Sequence, residues 1–193
     1  MSVNIMLLGN TAVGKTTFLQ QYINKTFRDI GISTVGVDSE TVNVVIDNEK
    51  EVTTNTAGQE KFQAVFKSHY QKADGIILIY SVEERETYDK IQEWMNSIKN
   101  SSRRETVIFL VSNKNDLPED KKIVKSEEGR EIAQSFQIPF YEITSKSYDQ
   151  VSKVVHDIVK EVINKDEDGN FRIKPLVLDK ESFKKKDKDK CNC

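Results

Sequence analysis

The sequence predicts an α/β fold with a six-stranded, mostly parallel sheet and helices on both of its faces. Two near-continuous apolar runs, residues 75–80 and 106–111, are typical of strands buried on both faces of a parallel sheet. Strands that alternate with helices in this way indicate a layered α/β domain. Between the two runs, apolar residues recur at the i, i+3, i+4 and i+7 spacing of one helix face, namely Ile91, Trp94, Met95 and Ile98. At this spacing we expect Trp94 to pack in the core.

The first third of the chain predicts three more strands and a helix. Apolar residues from Val3 to Leu8 predict the first strand, and a glycine-bearing loop separates it from a helix-compatible segment over 17–23. The stretches 37–46 and 50–54 flank polar turn residues, so they predict an antiparallel hairpin.

The later elements include a capped helix. Ser126 is its expected N-cap, because a hydroxyl can accept a backbone N–H there and two acidic residues, Glu127 and Glu128, follow in the first turn. The apolar residues that this helix is expected to bury are Ile132, Ala133 and Phe136.

A short strand and a last helix complete the predicted domain. Residues 139–143 predict the strand, and valine and isoleucine residues at helical spacing predict the helix over 151–162. The regular pattern stops near Asn164, so we expect a folded domain over residues 1–165 and a flexible tail over 166–193.

Composition limits the classes of protein to which the chain can belong. Its 193 residues fit one domain, and a net charge of −2 predicts no general attraction to nucleic acid. No apolar stretch approaches the ~18–20 residues that span a bilayer. The first residues do not form a basic and apolar leader, so we expect a protein that is not secreted. Both cysteines, Cys191 and Cys193, lie among the last three residues, which favours a reducing compartment.

The loop after the first strand, Gly9–Thr16, has the pattern Gly-x-x-x-x-Gly-Lys-Thr. Backbone N–H groups at a helix N-terminus attract anions, and glycine lets the backbone fold close around a phosphate. Lys15 is expected to reach the β- and γ-phosphates of a nucleotide, and the Thr16 hydroxyl to bind Mg²⁺. The alternative, a glycine turn with a solvated lysine, does not explain why a strand and a helix flank the loop so closely. The residues expected around the phosphates are Thr11, Ala12, Val13, Gly14, Lys15, Thr16 and Thr17.

A second polar motif, Asn113-Lys114-Asn115-Asp116, follows the predicted strand over 106–111. It therefore lies at the carboxyl edge of the sheet, where ligands bind. Asp116 can accept two hydrogen bonds from guanine, whereas adenine would leave the carboxylate unpaired at a cost of about 1–3 kcal/mol. The Lys114 stem can lie along the base, and Asn113 can tie this loop to the phosphate loop. One alternative is a solvated polar loop; another, an ATPase or kinase, is disfavoured by Asp116.

With these motifs, the chain resembles a small GTPase of the Ras superfamily over roughly residues 3–164, and it is most similar to the Rab branch. Residues 33–38 resemble the Rab switch I signature, and residues 56–62 resemble switch II. Residues 142–146 align with the last guanine motif, in which the Ser145 backbone N–H would meet the guanine oxygen. Further residues that the resemblance places at the nucleotide are Phe27, Thr34, Gly58, Thr144, Ser145 and Lys146.

The resemblance also implies a mechanism. Gln59 would orient the attacking water, while Lys15 and Mg²⁺ neutralise charge on the γ-phosphate. Thr16 and Thr34 would bind the Mg²⁺, and Thr34 and Gly58 would sense the γ-phosphate, so that both switches are ordered in the GTP state alone. Intrinsic hydrolysis is expected to be slow, because no arginine finger is recognisable in the chain.

The chain departs from the family in two places. Asn55 stands where switch II of the family has aspartate, and the lost charge predicts weaker Mg²⁺ retention and quicker nucleotide loss. Nucleotide release from Asn55→Asp and from the native chain, with and without excess Mg²⁺, tests this, and equal rates would refute it. At the positions of the Rab effector-binding aromatic triad stand Ser39, Thr54 and His69, which puts standard Rab effectors in doubt. The alternative function is a nucleotide-binding scaffold of the same fold with impaired cycling.

The end of the chain resembles the Cys-x-Cys terminus that receives two geranylgeranyl groups in Rab proteins. Cys191 and Cys193 would carry the lipids, and two chains give stable anchoring where one gives marginal binding. A metal site is the alternative use of the pair, although two ligands make a poor one. The resemblance implies vesicle traffic on the cytoplasmic face of an intracellular membrane, in exchange with cytosol. The implied partners are an exchange factor, a GTPase-activating protein, a prenyl carrier and GTP-state effectors.

Overall fold

The structure is a computed structural model that describes residues 2–25, 39–47, 50–56 and 70–167. Within these ranges, six strands form one sheet in the order β3-β2-β1-β4-β5-β6. The strands are β1 (Ser2–Leu8), β2 (Ser39–Asp47), β3 (Lys50–Thr56), β4 (Gly75–Ser81), β5 (Val107–Asn113) and β6 (Phe140–Glu142). The helices are α1 (Lys15–Asn24), α2 (Arg85–Asp89), α3 (Ile91–Ser101), α4 (Ser126–Phe136) and α5 (Tyr148–Glu167), and a 3-10 turn spans Glu119–Lys121.

The pairing of the strands confirms the predicted fold class. β1, β4, β5 and β6 are mutually parallel neighbours, whereas β2 is antiparallel to both β1 and β3. The connection between β2 and β3 is too short for a crossover, so the hairpin is antiparallel, and helices lie in the crossovers between the parallel strands. The register places Ser81 opposite Asn113, which brings the loops after β4 and β5 together at one edge.

Two hydrophobic cores lie on opposite faces of the sheet. Alternate residues of β1 enter different cores, as the two-residue period of a strand requires: Ile5 and Leu7 pack with α1 and α5, while Met6 and Leu8 pack with α3 and α4. Strands β4 and β5 are buried almost throughout. Helices therefore cover both faces. Within the described ranges, none of the helices has the length and apolarity to cross a membrane.

The predicted cap of α4 was wrong by one residue. Lys125 is the N-cap, and its backbone N–H donates to the Glu128 carboxylate at 3.0 Å. The Ser126 hydroxyl instead donates to the carboxylate of Glu142 on β6. A tertiary partner thus removed this side chain from its expected role in the cap.

Fewer residues of α4 are fully buried than expected. Ala133 is fully buried, but Ile132 and Phe136 are only partly buried at the margin of the core. The short helix α2 has no predicted counterpart, since five residues give no measurable apolar period. The last helix runs to Glu167, beyond its apolar stripe.

Candidate nucleotide-binding site

The loop between β1 and α1 depends on backbone conformations that favour glycine. Gly9 and Gly14 have φ angles of 142° and 97°, and a Cβ on Gly9 would lie 2.1 Å from the carbonyl oxygen of Ile79. Ala12 also has a positive φ, 65°. These angles let the backbone turn sharply in the six residues between the end of β1 at Leu8 and the start of α1 at Lys15. The first turn of α1 has no acidic residue, so the positive end of the helix dipole stays open to an anion.

Lys15 is held inside this loop. The residue is 5% exposed, and its ammonium donates to the carbonyl oxygens of Gly9 and Asn10, both at 2.7 Å. These bonds satisfy part of a buried charge and hold the ammonium against the carbonyl groups at the start of the loop. Val13 is fully buried, so only its backbone can serve a ligand, whereas Thr11 and Ala12 are exposed. Thr16 and Thr17 lie half-buried in the first turn of α1.

Asn113 joins the predicted phosphate loop, Gly9–Thr16, to the two predicted base loops, residues 113–116 and 142–146. Its amide Nδ2 donates to the Val13 carbonyl at 2.8 Å, and its Oδ1 accepts the Ser145 backbone N–H at 2.9 Å. The side chain is almost completely buried, so both bonds form away from water, where their loss is expensive. The three segments are far apart in sequence, yet one side chain sets their spacing.

Asp116 follows Asn113 by three residues, and its side chain is 30% exposed. Lys146 donates to its Oδ2 at 2.7 Å. Partial burial opposes ionisation of Asp116, but hydrogen bonds from Lys146 and Thr144 outweigh burial and hold the pKa of this carboxyl below its usual value. At neutral pH the group is therefore a hydrogen-bond acceptor, as guanine requires. Thr144 also accepts the Lys146 backbone N–H at 3.3 Å, which shapes the same loop.

Lys114 occupies an unusual backbone position between Asn113 and Asp116. Its φ of 67° is left-handed, a conformation that costs a non-glycine residue about 1–2 kcal/mol. Its ammonium forms an ion pair with the carboxylate of Glu83, which belongs to the loop after β4. The Lys114 side chain therefore extends from the loop after β5 to the loop after β4, where the ion pair holds its ammonium.

Two further side chains support the site without any motif in the sequence. Trp94 is partly buried, as core packing requires, but its indole N–H also donates to Asn10 of the phosphate loop at 2.9 Å. Gln21 of α1 donates to the carbonyl of Lys146 at 3.3 Å. The need of a buried indole N–H for a partner is the signal that could have indicated the first contact. Nothing local could have indicated the second.

Several predicted residues lie outside the described part of the chain. The catalytic and switch residues in this group are Gln59, Thr34 and Gly58; the others are Phe27, His69 and the lipidation candidates Cys191 and Cys193. Ser39, Thr54 and Asn55 lie on β2 and β3, where the backbone alone is described, and Asn55 pairs with Val42. Their predicted roles stay predictions.

The Thr16 hydroxyl suits a Mg²⁺ ion that binds together with a nucleotide. In the described ranges, no cluster of three or more histidine, cysteine or acidic residues could hold a metal ion. Thr16 places a hydroxyl in the first turn of α1, next to Lys15 and the open helix N-terminus. Mg²⁺ commonly binds few protein groups and completes its shell with water and phosphate oxygens, so a hydroxyl at this position suits it.

Comparisons with known proteins identify the family of the chain. A model of the Ras family matches residues 4–164. The chain is 30% identical to Ras-related protein Rab-3 of Caenorhabditis elegans, over 98% of this chain and 89% of that protein. It is 34% identical to Ras-related protein Rab-3A of Homo sapiens, over 83% of this chain and 74% of that protein, and Ras-related protein Rab-3D of Mus musculus gives the same figures. The matched length includes the glycine-bearing loop and the two predicted base loops, and the chain therefore belongs to the Ras family of small GTPases, as a Rab-like member.

Proposed function

We propose that this Rab-like GTPase binds GTP, hydrolyses it slowly and acts as a switch in vesicle traffic through GTP-dependent effectors. The observation that supports the proposal is the Asn113 side chain, whose hydrogen bonds to Val13 and Ser145 join residues 9–16 and 142–146, the proposed phosphate loop and the second proposed base loop. Asp116, ionised at the base end, supports guanine over adenine. Lys15, held in the loop at the phosphate end, supports a triphosphate ligand.

Each residue has a defined task in the proposed reaction. Lys15 would bind the β- and γ-phosphates, and Gln59 would orient the attacking water. Thr16 and Thr34 would hold Mg²⁺, which when bound neutralises phosphate charge. Transfer to water needs positioning and charge neutralisation more than covalent help, so a loop that holds its lysine rigidly suits it. No arginine finger is recognisable in the sequence, which supports a slow intrinsic rate and dependence on an activating protein.

The comparisons do not support the alternative of a scaffold with impaired cycling. The two functions differ in single-turnover hydrolysis: the switch converts bound GTP to GDP and phosphate, and the scaffold does not.

Competition between GTP and ATP for the full chain tests which base the site prefers. We expect GTP to displace a fluorescent GDP analogue and ATP to leave it bound; displacement by both would contradict the guanine site.

Membrane attachment is proposed through the last three residues. We expect replacement of both Cys191 and Cys193 by serine to move the protein from the membrane to the soluble fraction of cells, because the lipid chains supply most of the anchoring energy. Cell fractionation of the native chain and the double variant checks this, and the mass of the native chain shows whether lipids are attached. Single replacements should give intermediate retention, since one chain binds marginally. Unchanged membrane association of the double variant would refute lipidation.

A further inference from the structure

The ion pair between Glu83 and Lys114 links the loops that follow two adjacent strands. Lys114 belongs to the guanine motif, but Glu83 belongs to no nucleotide-binding motif of the sequence. The side chains of Glu83 and Lys114 are 38% and 28% exposed, so the pair lies at the margin of the site, neither buried nor fully solvated.

The backbone on both sides of Glu83 is fixed. The Val82 N–H donates to the Asn113 carbonyl at 3.2 Å, and the Val82 carbonyl accepts the N–H groups of Ile123 and Val124 at 2.8 and 3.0 Å. On the other side, the Thr87 hydroxyl donates to the Glu84 carbonyl at 2.8 Å. Glu83 therefore lies on a loop whose backbone is hydrogen-bonded to the backbone of Asn113.

Lys114 is fixed at both of its ends. Its left-handed backbone is held by Asn113 on one side and by a hydrogen bond from the Leu117 N–H to its own carbonyl at 3.1 Å. Strained conformations of this kind persist where the surroundings over-determine them, and they collect at ligand sites. The carboxylate of Glu83 fixes the other end, the ammonium. It also gives Lys114 a carboxylate partner other than Asp116, which must remain available to the base.

We infer that Glu83 is a positioning residue for nucleotide retention: its carboxylate holds the Lys114 ammonium so that the aliphatic stem forms a fixed wall beside the base. The inference rests on the proposed guanine nucleotide site. Without Glu83, the lysine stem would lose its anchor, and ordering it would then cost entropy each time a nucleotide binds. The nucleotide should consequently leave faster, although Glu83 itself does not touch it.

Nucleotide release from the full chain tests the inference. The chain is loaded with a fluorescent GDP analogue and chased with unlabelled GDP. We expect Glu83→Gln to release the analogue about two- to fivefold faster than the native chain, the range that a partly exposed charge pair supports. Glu83→Asp should restore part of the retention. The control is Glu119→Gln, which breaks a surface lysine–glutamate pair with Lys122 and should leave the rate unchanged.

A double-mutant cycle separates positioning from a general structural role. If Glu83 acts through Lys114, Glu83→Gln should add nothing to the release rate in a Lys114→Met background, and the melting temperatures of both single variants should stay close to that of the native chain. Equal rates for native and Glu83→Gln would overturn the inference, as would the same acceleration in both backgrounds. If the native chain does not retain guanine nucleotide at all, both the proposed function and this inference are refuted. If the native chain retains the nucleotide but Glu83→Gln releases it at the same rate, the inference about Glu83 alone is refuted.

Discussion

Replacing Asp116 by asparagine should weaken GTP binding by about 10- to 100-fold, the loss expected when a charged acceptor of two hydrogen bonds to the base is removed. The asparagine keeps one acceptor but turns a donor toward the exocyclic amine of guanine. Xanthine carries a carbonyl oxygen at that position, so the affinity for XTP should rise relative to GTP. Titration of a fluorescent nucleotide analogue, competed with GTP and XTP, measures both changes.

The fold should be almost unaffected by the same substitution. The Asp116–Lys146 pair leaves the lysine side chain 55% exposed, and pairs of this kind contribute at most about 1 kcal/mol to the free energy of unfolding. Glu119→Gln is the control, because it removes an exposed carboxylate three residues away that also pairs with a lysine. Equal losses of GTP affinity in the two variants would mean that Asp116 acts only through local charge and does not read the base.

Replacing Gly14 by alanine should lower the free energy of unfolding by about 2–4 kcal/mol, through a strained φ and a broken buried hydrogen bond. The φ of 97° disfavours any side chain, and a Cβ there would lie 2.4 Å from Asn113 Nδ2. The bond from Asn113 to Val13 would therefore be lost. Denaturant unfolding of the GDP-bound chain measures the change, and nucleotide release should accelerate because the two halves of the site are no longer joined.

A double-mutant cycle with Asn113→Ala tests this explanation. Removing the amide removes the obstacle, so Gly14→Ala should then cost only the backbone strain of about 1–2 kcal/mol. Strict additivity would contradict the steric link between the two residues. Ala12→Gly is the control in the same loop: its φ of 65° suits glycine, so the substitution should not destabilise the protein.

Sequence patterns alone were sufficient for most of the fold. The apolar runs of β4 and β5, the stripe of α3 and the pairing of the two hairpin strands follow from local patterns, and the structure confirms them. The predicted polar turn at residues 48 and 49 lies outside the described part of the chain. Predictions failed where a distant side chain intervened. Ser126 has the chemistry of an N-cap, but the Glu142 carboxylate lies close enough to take its hydroxyl, and no local pattern reports that proximity.

The sequence by itself determined which chemical groups are available: a glycine loop with Lys15, a carboxylate at Asp116 and an amide at Asn113. Only the tertiary structure decided which of them meet. Asn113 lies 100 residues from Val13, and Trp94 lies 84 residues from Asn10, yet both pairs share hydrogen bonds. Parallel strands end at the same edge of a sheet, so residues far apart in the chain converge there. Periodicity describes the faces of each element, whereas these pairings depend on how the elements pack.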